Sequence, residues 1–225
     1  MRRICLFAGY DKDNKIQDYV VYLIKELSKI SEVYFMGNGR FPPDELFKIA
    51  PYTQMFYSQR MPLKDFGCWP YLIAKLGWEK LEKYDELILC NDSVYGPLYN
   101  LEDFFRFMEH KGYDFWSATS DYESHFHLHS YCMAFTQDVI KNAQFHKFWR
   151  SIPFSYDANN CEMELTPLLT EQGFIGNSYI RTFKQENILR NPVQMLQDHQ
   201  APFIKVKSFL PENDYTAGTG IELRY

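Results

Sequence analysis

The sequence predicts an α/β protein in which a mixed, mostly parallel sheet carries helices on both faces. Short apolar runs, such as residues 86–90, alternate along the chain with longer segments such as residues 16–30, whose apolar side chains recur at helical spacing. Hydrophobic residues make up 46% of the 225 residues, which is enough to bury a sizeable core. Strands that alternate with helices form a mainly parallel sheet, because each helical connection crosses back over one of its faces.

The first half of the chain supplies three predicted strands and two predicted helices. Residues 4–8 are an apolar run that ends at a glycine, which predicts a buried strand, and residues 16–30 place their apolar side chains on one helical face. Residues 33–36 predict a second strand, because the run stops at a Gly-Asn-Gly turn. A short helix begins at the prolines of residues 42–45, and residues 52–58 predict a third strand.

The second half of the chain continues the alternation. Residues 69–81 predict a helix, and residues 86–90 are the clearest strand of the sequence. The helix predicted for residues 101–108 has two acidic residues in its first turn, where they interact favourably with the helix dipole. The remaining predicted strands and helices are residues 114–118, 130–135, 138–149 and 162–172.

These elements predict one domain over residues 1–210 and a loosely held tail over residues 211–225, where the periodicity is lost. No apolar run approaches the roughly 20 residues that a transmembrane helix needs. The five cysteines form no Cys-x-x-Cys pair, which indicates buried, reduced thiols in the cytoplasm. A net charge of -5, with no stripe of Lys or Arg, argues against a nucleic-acid partner.

Polar residues that follow a strand are the first candidates for chemistry, since ligands bind beyond the carboxyl ends of the strands in open α/β sheets. Asn91, Asp92 and Ser93 follow the strand at residues 86–90 and precede Tyr95. An aspartate held on such a loop can bind a metal ion or a metal-bound diphosphate. Position alone is equally consistent with Asp92 as the cap of a turn or helix.

Alternating histidines and the start of a later helix form two further candidates. His125, His127 and His129 would project on one side of an extended segment, where imidazoles either bind a transition metal or line a polar loop. Glu162 lies in the opening turn of a predicted helix. It is either a general base or a first-turn acid that the helix dipole favours.

The segment of residues 60–69 is the fourth candidate. Arg60 can hold a diphosphate and Asp65 can accept from a ribose hydroxyl, while Gly67 permits a close backbone approach. A solvated loop would have much the same composition. The aromatic content of 18% is unusual, since rings such as that of Trp69 form cores but also stack on bases and sugars.

Taken together, these segments resemble the rhamnan synthesis protein F family of bacterial glycosyltransferases. The most specific block is Asn91-Asp92-Ser93-Val94-Tyr95-Gly96-Pro97. The other matching blocks follow in the family's order and are Asp114-Phe115-Trp116, His127-Leu128-His129-Ser130-Tyr131, Phe145-His146-Lys147-Phe148-Trp149, residues 162–166, Asn191-Pro192 and residues 202–206. The resemblance implies a GT-A-like, Rossmann-related fold. It also implies transfer of a sugar, often rhamnose from dTDP-rhamnose, to a growing cell-surface polysaccharide or O-antigen.

The resemblance also implies roles for individual residues. Asp92 matches the acid of an Asp-x-Asp motif, which contacts the donor diphosphate and a divalent cation, Mg²⁺ or Mn²⁺, and His127 is a second candidate ligand. Glu162 matches the position of the catalytic base in inverting enzymes. The other residues implied to contact the donor are Arg60, Asp65, Gly67, Asn91, Ser93 and Tyr95. Those implied to contact the acceptor or the sugar are Trp116, His127, His129 and Tyr131.

The chain departs from the family pattern in three places. His129 stands where the family has Gln, Val94 stands where a second acid would follow Asp92, and residues 61–64 form a segment one residue short. The alternative function is therefore a non-catalytic protein that binds a nucleotide sugar or glycan, and a third is a metal-dependent hydrolase built on the histidines. As a glycosyltransferase the protein is expected in the cytoplasm. A glycan or lipid-linked acceptor would bring it to the inner face of the cell membrane.

Overall fold

Ten strands and nine α-helices make up the part of the chain that the computed structural model describes, which is residues 1–122, 125–152, 158–181 and 192–209, without the side chains of 158–160. The strands are β1 (Arg3–Gly9), β2 (Glu32–Gly37), β3 (Met55–Ser58), β4 (Glu86–Asn91), β5 (Val94–Tyr95), β6 (Phe115–Asp121), β7 (His127–Leu128), β8 (Cys132–Thr136), β9 (Gly176–Arg181) and β10 (Ile204–Lys205). The helices are α1 (Asp18–Ser28), α2 (Pro43–Phe47), α3 (Asp65–Leu76), α4 (Trp78–Leu81), α5 (Leu101–Glu109), α6 (Gln137–Ile140), α7 (Ala143–Ser151), α8 (Ala158–Glu171) and α9 (Pro192–His199).

Eight of the strands form one mixed sheet. Following the hydrogen-bonded pairs, the order is β3-β2-β1-β4-β8-β6-β7, and β9 pairs with β6. The pairs β1–β2, β2–β3, β1–β4 and β6–β9 are parallel, whereas β8 runs antiparallel to both β4 and β6. The remaining strands, β5 and β10, form a separate antiparallel pair.

Side chains of the central strands alternate between two cores. Cys5 and Phe7 of β1 face a core that α1, α5 and α9 cover. Ile4 and Leu6 of the same strand face a second core, which α3, α6, α7 and α8 cover. This alternation follows from the pleat of a strand, in which successive side chains point to opposite faces. The predicted mixed sheet with helices on both faces is confirmed.

Two of the predicted helices are divided in the structure. The helix predicted for residues 69–81 begins earlier, at Asp65, and is split into α3 and α4 by Gly77, whose φ of 76° lies in the left-handed region. The helix predicted for residues 138–149 is split into α6 and α7 at Asn142. The side-chain oxygen of Asn142 accepts two backbone hydrogen bonds, of 2.8 and 3.1 Å, and so caps the start of α7.

Sequence patterns missed β5, β7, β9, β10 and α9. Three of these strands contain only two residues each, too few to show the alternation that identifies a strand. The fourth, β9, has a largely polar sequence but lies beside β6 in a parallel pair. The predicted tail over residues 211–225 lies outside the described residues.

The five cysteines all lie in the buried core as free thiols. Cys90 and Cys132 are directly opposite each other in the β4–β8 pair, so these side chains are packing residues of the sheet. Among the described helices, none has both the length and the apolar character that a bilayer crossing requires.

Gly96 allows the last described strand to lie against the loop that follows β4. A methyl group on its Cα would stand 2.6 Å from the Pro202 carbonyl oxygen and 2.7 Å from the Phe203 ring, and its φ is +145°. The close approach is fixed on either side by hydrogen bonds from the Leu98 amide to the Pro202 carbonyl (2.9 Å) and from the Val206 amide to the Ser93 carbonyl (3.0 Å). Glycine is therefore required for β10 to pair with β5.

We expect Gly96→Ala to loosen this pairing. The added methyl meets backbone atoms that cannot move aside freely, and overpacking of this kind typically costs about 1–3 kcal/mol. Gly112→Ala is the matched control, because Gly112 also has a positive φ of +67° but nothing lies within 4 Å of the added methyl. The measurements are urea unfolding and hydrogen exchange at the Val206 amide. Equal destabilisation by the two substitutions, with unchanged protection of Val206, would contradict the assignment.

Candidate functional site

The site lies where the order of the sheet reverses. The chain passes from β1 to β2 on one side of β1, whereas β4 pairs with β1 on its other side. Loops that leave such neighbouring strands diverge and open a crevice at their carboxyl ends. Tyr10 and Asp11 follow β1 at this point, and Asp92 follows β4.

Asp92 faces the loop that follows β1. Its Oδ2 accepts a hydrogen bond from the Tyr10 amide at 2.5 Å, and the Tyr19 hydroxyl donates to its carbonyl oxygen at 3.0 Å. Burial raises the pKa of the Asp92 carboxyl to about 8; the Tyr10 amide opposes this rise, and the Asp65 carboxylate adds to it. A cation or hydrogen-bond donor brought by a ligand would therefore favour the ionised form.

Asn91 hydrogen-bonds to two further residues of the site. Its Nδ2 donates to Asp65 Oδ2 at 2.6 Å, and its Oδ1 accepts from the Ser93 amide at 3.0 Å and the Ser93 hydroxyl at 2.6 Å. Only 3% of Asn91 is exposed, whereas Asp65 and Ser93 are partly exposed. The side chain thereby fixes Asp65, at the start of α3, and Ser93 relative to the end of β4.

Lys205 completes this group from β10. Its Nζ donates to Ser93 Oγ at 3.0 Å and lies 4.4 Å from the centre of the Tyr131 ring. Burial lowers the pKa of Lys205 to about 8, against the influence of Glu162 and Asp65, which favour the charged ammonium. Burial raises the pKa of Asp65, and the Lys205 ammonium opposes that rise. The site therefore combines several ionisable groups that are partly withdrawn from water.

The alternating histidines lie side by side, as the sequence predicted. The ring centroids of His125 and His127 are 6.1 Å apart, and those of His127 and His129 are 5.7 Å apart. His129 Nδ1 lies 2.7 Å from Thr119 Oγ1, which is 2.8 Å from the Tyr131 hydroxyl. Burial, with the nearby Lys205 ammonium, lowers the pKa of His129 to about 3. Its imidazole is thus neutral at physiological pH and suits hydrogen bonding to a hydroxyl.

Glu162 joins α8 to the histidine segment. Its Oε1 accepts from the Ser130 amide at 2.6 Å, and one turn later Thr166 Oγ1 accepts from the Leu128 amide at 3.1 Å. These two bonds hold the carboxylate beside the strand that leads into Tyr131. Glu162 also lies near enough to Lys205 and Asp65 to influence their charges. The structure thus brings Glu162 into the group formed by Asn91 and its neighbours.

The other residues predicted from the sequence have different surroundings. Trp116 is 2% exposed in the core, where its Nε1 donates to Glu86 Oε1 at 3.2 Å at the opposite end of β4. Arg60 is exposed in the loop after β3. A methyl group on Gly67 would lie 1.8 Å from the Pro62 carbonyl oxygen, so this glycine permits the loop before α3 to pack closely. Tyr95 packs against other aromatic rings beside the turn.

The described side chains alone do not build a complete metal site. In the described ranges no three His, Cys, Asp or Glu side chains come together as candidate ligands. Asp92 offers one carboxylate, of which Oδ2 accepts from Tyr10, and His127 lies in β7 opposite Asp121 rather than beside Asp92. Divalent cations of the Mg²⁺ type bind to one or two carboxylates together with substrate phosphates and water. Asp92 fits that mode of binding as a single ligand.

Sequence reasoning did not select Lys205, Thr119 or Tyr10 as site residues. Tyr10 acts through its backbone amide, which any residue except proline supplies. Thr119 lies one residue beyond the strand predicted for residues 114–118, and Lys205 contacts Ser93 across 112 residues of sequence. The only signal in the sequence for Lys205 was its place in the block of residues 202–206.

Comparison with known proteins gives a family and a fold. The sequence model of the rhamnan synthesis protein F family matches residues 33–222. No curated protein sequence matches the chain. The glycosyltransferase GlyE of Streptococcus pneumoniae TIGR4 is 13% identical, with a TM-score of 0.50 over 88% of this chain and 50% of that protein. Core-mannan synthase A of Aspergillus fumigatus, in its Mn/GDP form, is 11% identical, with a TM-score of 0.46 over 81% of this chain and 73% of that protein.

The likeness to GlyE is one of fold at this level of identity, and this chain spans half the length of that protein. Together with the mixed sheet order described above, it shows that the predicted GT-A-like fold is correct.

We expect Asp92→Asn to stabilise the protein more at pH 8 than at pH 5. The pKa of Asp92 is higher in the folded protein than the value of about 4 in an unfolded chain, so the folded state binds the extra proton between these pH values. Wild-type stability due to this group therefore falls as the pH rises from about 4 to 8, whereas asparagine does not ionise. From pH 5 to pH 8, we expect the free energy of unfolding of the variant relative to wild type to rise by at least about 1 kcal/mol.

The measurement is urea unfolding at both pH values with a chelator present. Asp44→Asn, at an exposed position in the first turn of α2, provides the baseline for a surface carboxylate. If Asp92→Asn changes the free energy of unfolding equally at pH 5 and pH 8, burial does not raise the pKa of Asp92.

Proposed function

The chain belongs to the rhamnan synthesis protein F family, and we propose that it is a glycosyltransferase that moves a sugar from a nucleoside diphosphate donor to a glycan acceptor. The observation that carries the proposal is the position of the family's most specific block. Asn91, Asp92 and Ser93 stand at the reversal point of the sheet, Asp65 of α3 bonds to Asn91, and Glu162 of α8 lies near enough to Asp65 to influence its charge. Ligands bind at such a point in open α/β sheets.

In the proposed mechanism Glu162 is the general base of an inverting transfer. Its carboxylate accepts the proton of the acceptor hydroxyl as that oxygen attacks the anomeric carbon of the donor sugar. The Ser130 amide holds Glu162 Oε1 in place, and α8 carries the carboxylate towards the crevice. Attack from the face opposite the departing diphosphate inverts the configuration of the sugar.

The donor is proposed to lie along the turn that follows β4. Asp65 and Ser93 offer oxygen atoms to ribose or phosphate, and Tyr95 offers a ring at the mouth of the crevice. His129, neutral at physiological pH, and His127 are proposed to contact sugar hydroxyls. Rhamnose is the proposed sugar, as the family description suggests, and a lipid-linked acceptor would bring the protein to the inner face of the cell membrane.

A divalent cation, Mg²⁺ or Mn²⁺, is proposed to bind between Asp92 and the donor diphosphate. When bound, the ion would offset the negative charge that develops on the leaving group. Asp92 would supply one oxygen, with diphosphate oxygens and water as the other ligands. The Tyr10 amide would hold the Asp92 side chain in position through Oδ2.

Release of nucleoside diphosphate from a panel of nucleotide sugars tests the proposal. We expect wild-type protein to release dTDP, UDP or GDP from one donor when an oligosaccharide acceptor and Mg²⁺ or Mn²⁺ are present. Excess chelator is expected to lower the rate at least about tenfold, because the developing charge loses its counterion. Binding of a nucleotide sugar with no release from any donor would identify the alternative, a non-catalytic binding protein.

We expect Glu162→Gln to lower turnover by about 100- to 10,000-fold, which is the usual contribution of a general base. Glutamine keeps an oxygen that can accept from the Ser130 amide, so donor affinity should change by less than about threefold. Glu164→Gln is the matched control, because Glu164 is exposed two residues further along α8. Steady-state kinetics and donor titration give the two values, and near wild-type turnover in Glu162→Gln would exclude it as the base.

A further inference from the structure

Lys205 is a partly buried cation beside the proposed diphosphate site. The pairing of β10 with β5 sets Lys205 opposite Val94, and its ammonium reaches back to Ser93 Oγ and over the Tyr131 ring. An ammonium that has lost part of its hydration is stabilised by anionic groups near it. A negatively charged ligand at this position would therefore interact favourably with Lys205.

The nearby carboxylates do not serve as ion-pair partners of Lys205. Asp65 Oδ2 accepts from Asn91 at 2.6 Å, and Glu162 Oε1 accepts from the Ser130 amide at 2.6 Å. Within the described residues neither acid forms an ion pair with Lys205, although both favour its charged form. An ammonium has three hydrogens to donate, and Ser93 receives one of these bonds. The Lys205 ammonium is thus held in place by a hydrogen bond and is not neutralised by a carboxylate in direct contact.

The place of Lys205 relative to Asp92 suggests which ligand it meets. Asp92 is bonded to the loop after β1, on one side of β4, whereas Lys205 lies over Tyr131, which leads into β8 on the other side. A diphosphate along the turn of residues 91–93 would pass between the two groups. A cation at Asp92 and the ammonium of Lys205 could then contact different phosphate oxygens.

We propose that Lys205 stabilises the negative charge of the departing nucleoside diphosphate, an inference that rests on the proposed sugar transfer. In that step the acceptor oxygen bonds to the anomeric carbon, and the bond from this carbon to the diphosphate oxygen breaks. The electron pair of the broken bond stays on the diphosphate oxygen, and the acceptor proton passes to Glu162. Lys205 keeps its proton and donates a hydrogen bond to the oxygen that gains charge.

The test compares Lys205→Gln, Lys205→Arg and the control Lys207→Gln, which removes an exposed lysine two residues away. Turnover is measured with the donor found in the panel, and the affinities of dTDP, UDP and GDP are measured by calorimetry beside those of the corresponding monophosphates. Circular dichroism and thermal unfolding check that each variant is folded. If Lys205→Gln does not fold, the double variant Lys205→Gln/Asp65→Asn removes the opposite charges together, and the ratio of diphosphate to monophosphate affinity is measured in that protein.

We expect Lys205→Gln to lower turnover about 100-fold or more, as removal of one group that stabilises transition-state charge usually does. Diphosphate affinity should fall at least about tenfold with little change in monophosphate affinity, because the contact is to the phosphate that bears the sugar. Lys205→Arg should recover part of both losses, whereas Lys207→Gln should stay within about twofold of wild type.

The outcomes separate the inference from the proposed function. An active wild type with unchanged turnover and diphosphate affinity in Lys205→Gln overturns the role of Lys205 and leaves the transferase standing. Equal loss of monophosphate and diphosphate affinity also overturns it, since a general loss of site structure would explain that result. A wild type that binds diphosphate through Lys205 but transfers no sugar supports the contact and overturns the transfer. A wild type that binds none of the nucleotides overturns both.

Discussion

The partial burial of ionisable groups at the carboxyl end of β4 is the constraint on which the candidate site depends. Asp65, Asp92 and Lys205 all have their pKa values moved towards the neutral form by loss of water. Such groups are tolerated only where neighbouring donors, acceptors and opposite charges partly replace hydration. Asn91 supplies much of that replacement, since its amide bonds both to Asp65 and to Ser93. A negatively charged substrate, bound with or without a cation, would change the balance of charge among these residues.

The parts of the fold that the sequence predicted are those whose evidence is local. The strand at residues 4–8 and the helix at residues 16–30 show their periodicity within a few turns, and both are present as β1 and α1. Pairing between distant segments has no such local signature. The two residues of β10 are a strand because they bond to β5, more than a hundred positions earlier, and no pattern within residues 204–205 indicates that pairing.

The same distinction separates the site residues. Asp92 could be found because a polar residue directly after an apolar strand has a known place in an open sheet, and the structure puts it there. Trp116 lies in one of the blocks that match the family, but in the structure it packs in the core against α5. Only that packing reveals its role. Lys205 carried no local mark of function, since its role depends on the turn that receives it. A chemically suitable residue becomes a site residue through tertiary contacts that spacing does not encode.

The pairing of β10 with β5 also makes the site depend on contacts that are distant in sequence. The contact of Lys205 with Ser93 closes a loop of 112 residues, and the pairing of β1 with β4, which sets Tyr10 beside Asp92, joins segments 83 residues apart. Loop closure over such distances is entropically costly, so such contacts tend to form late in folding. Neither side of the crevice is therefore fixed by a local segment alone. The aspartate and the lysine come to face the same turn only when the chain has completed its tertiary structure.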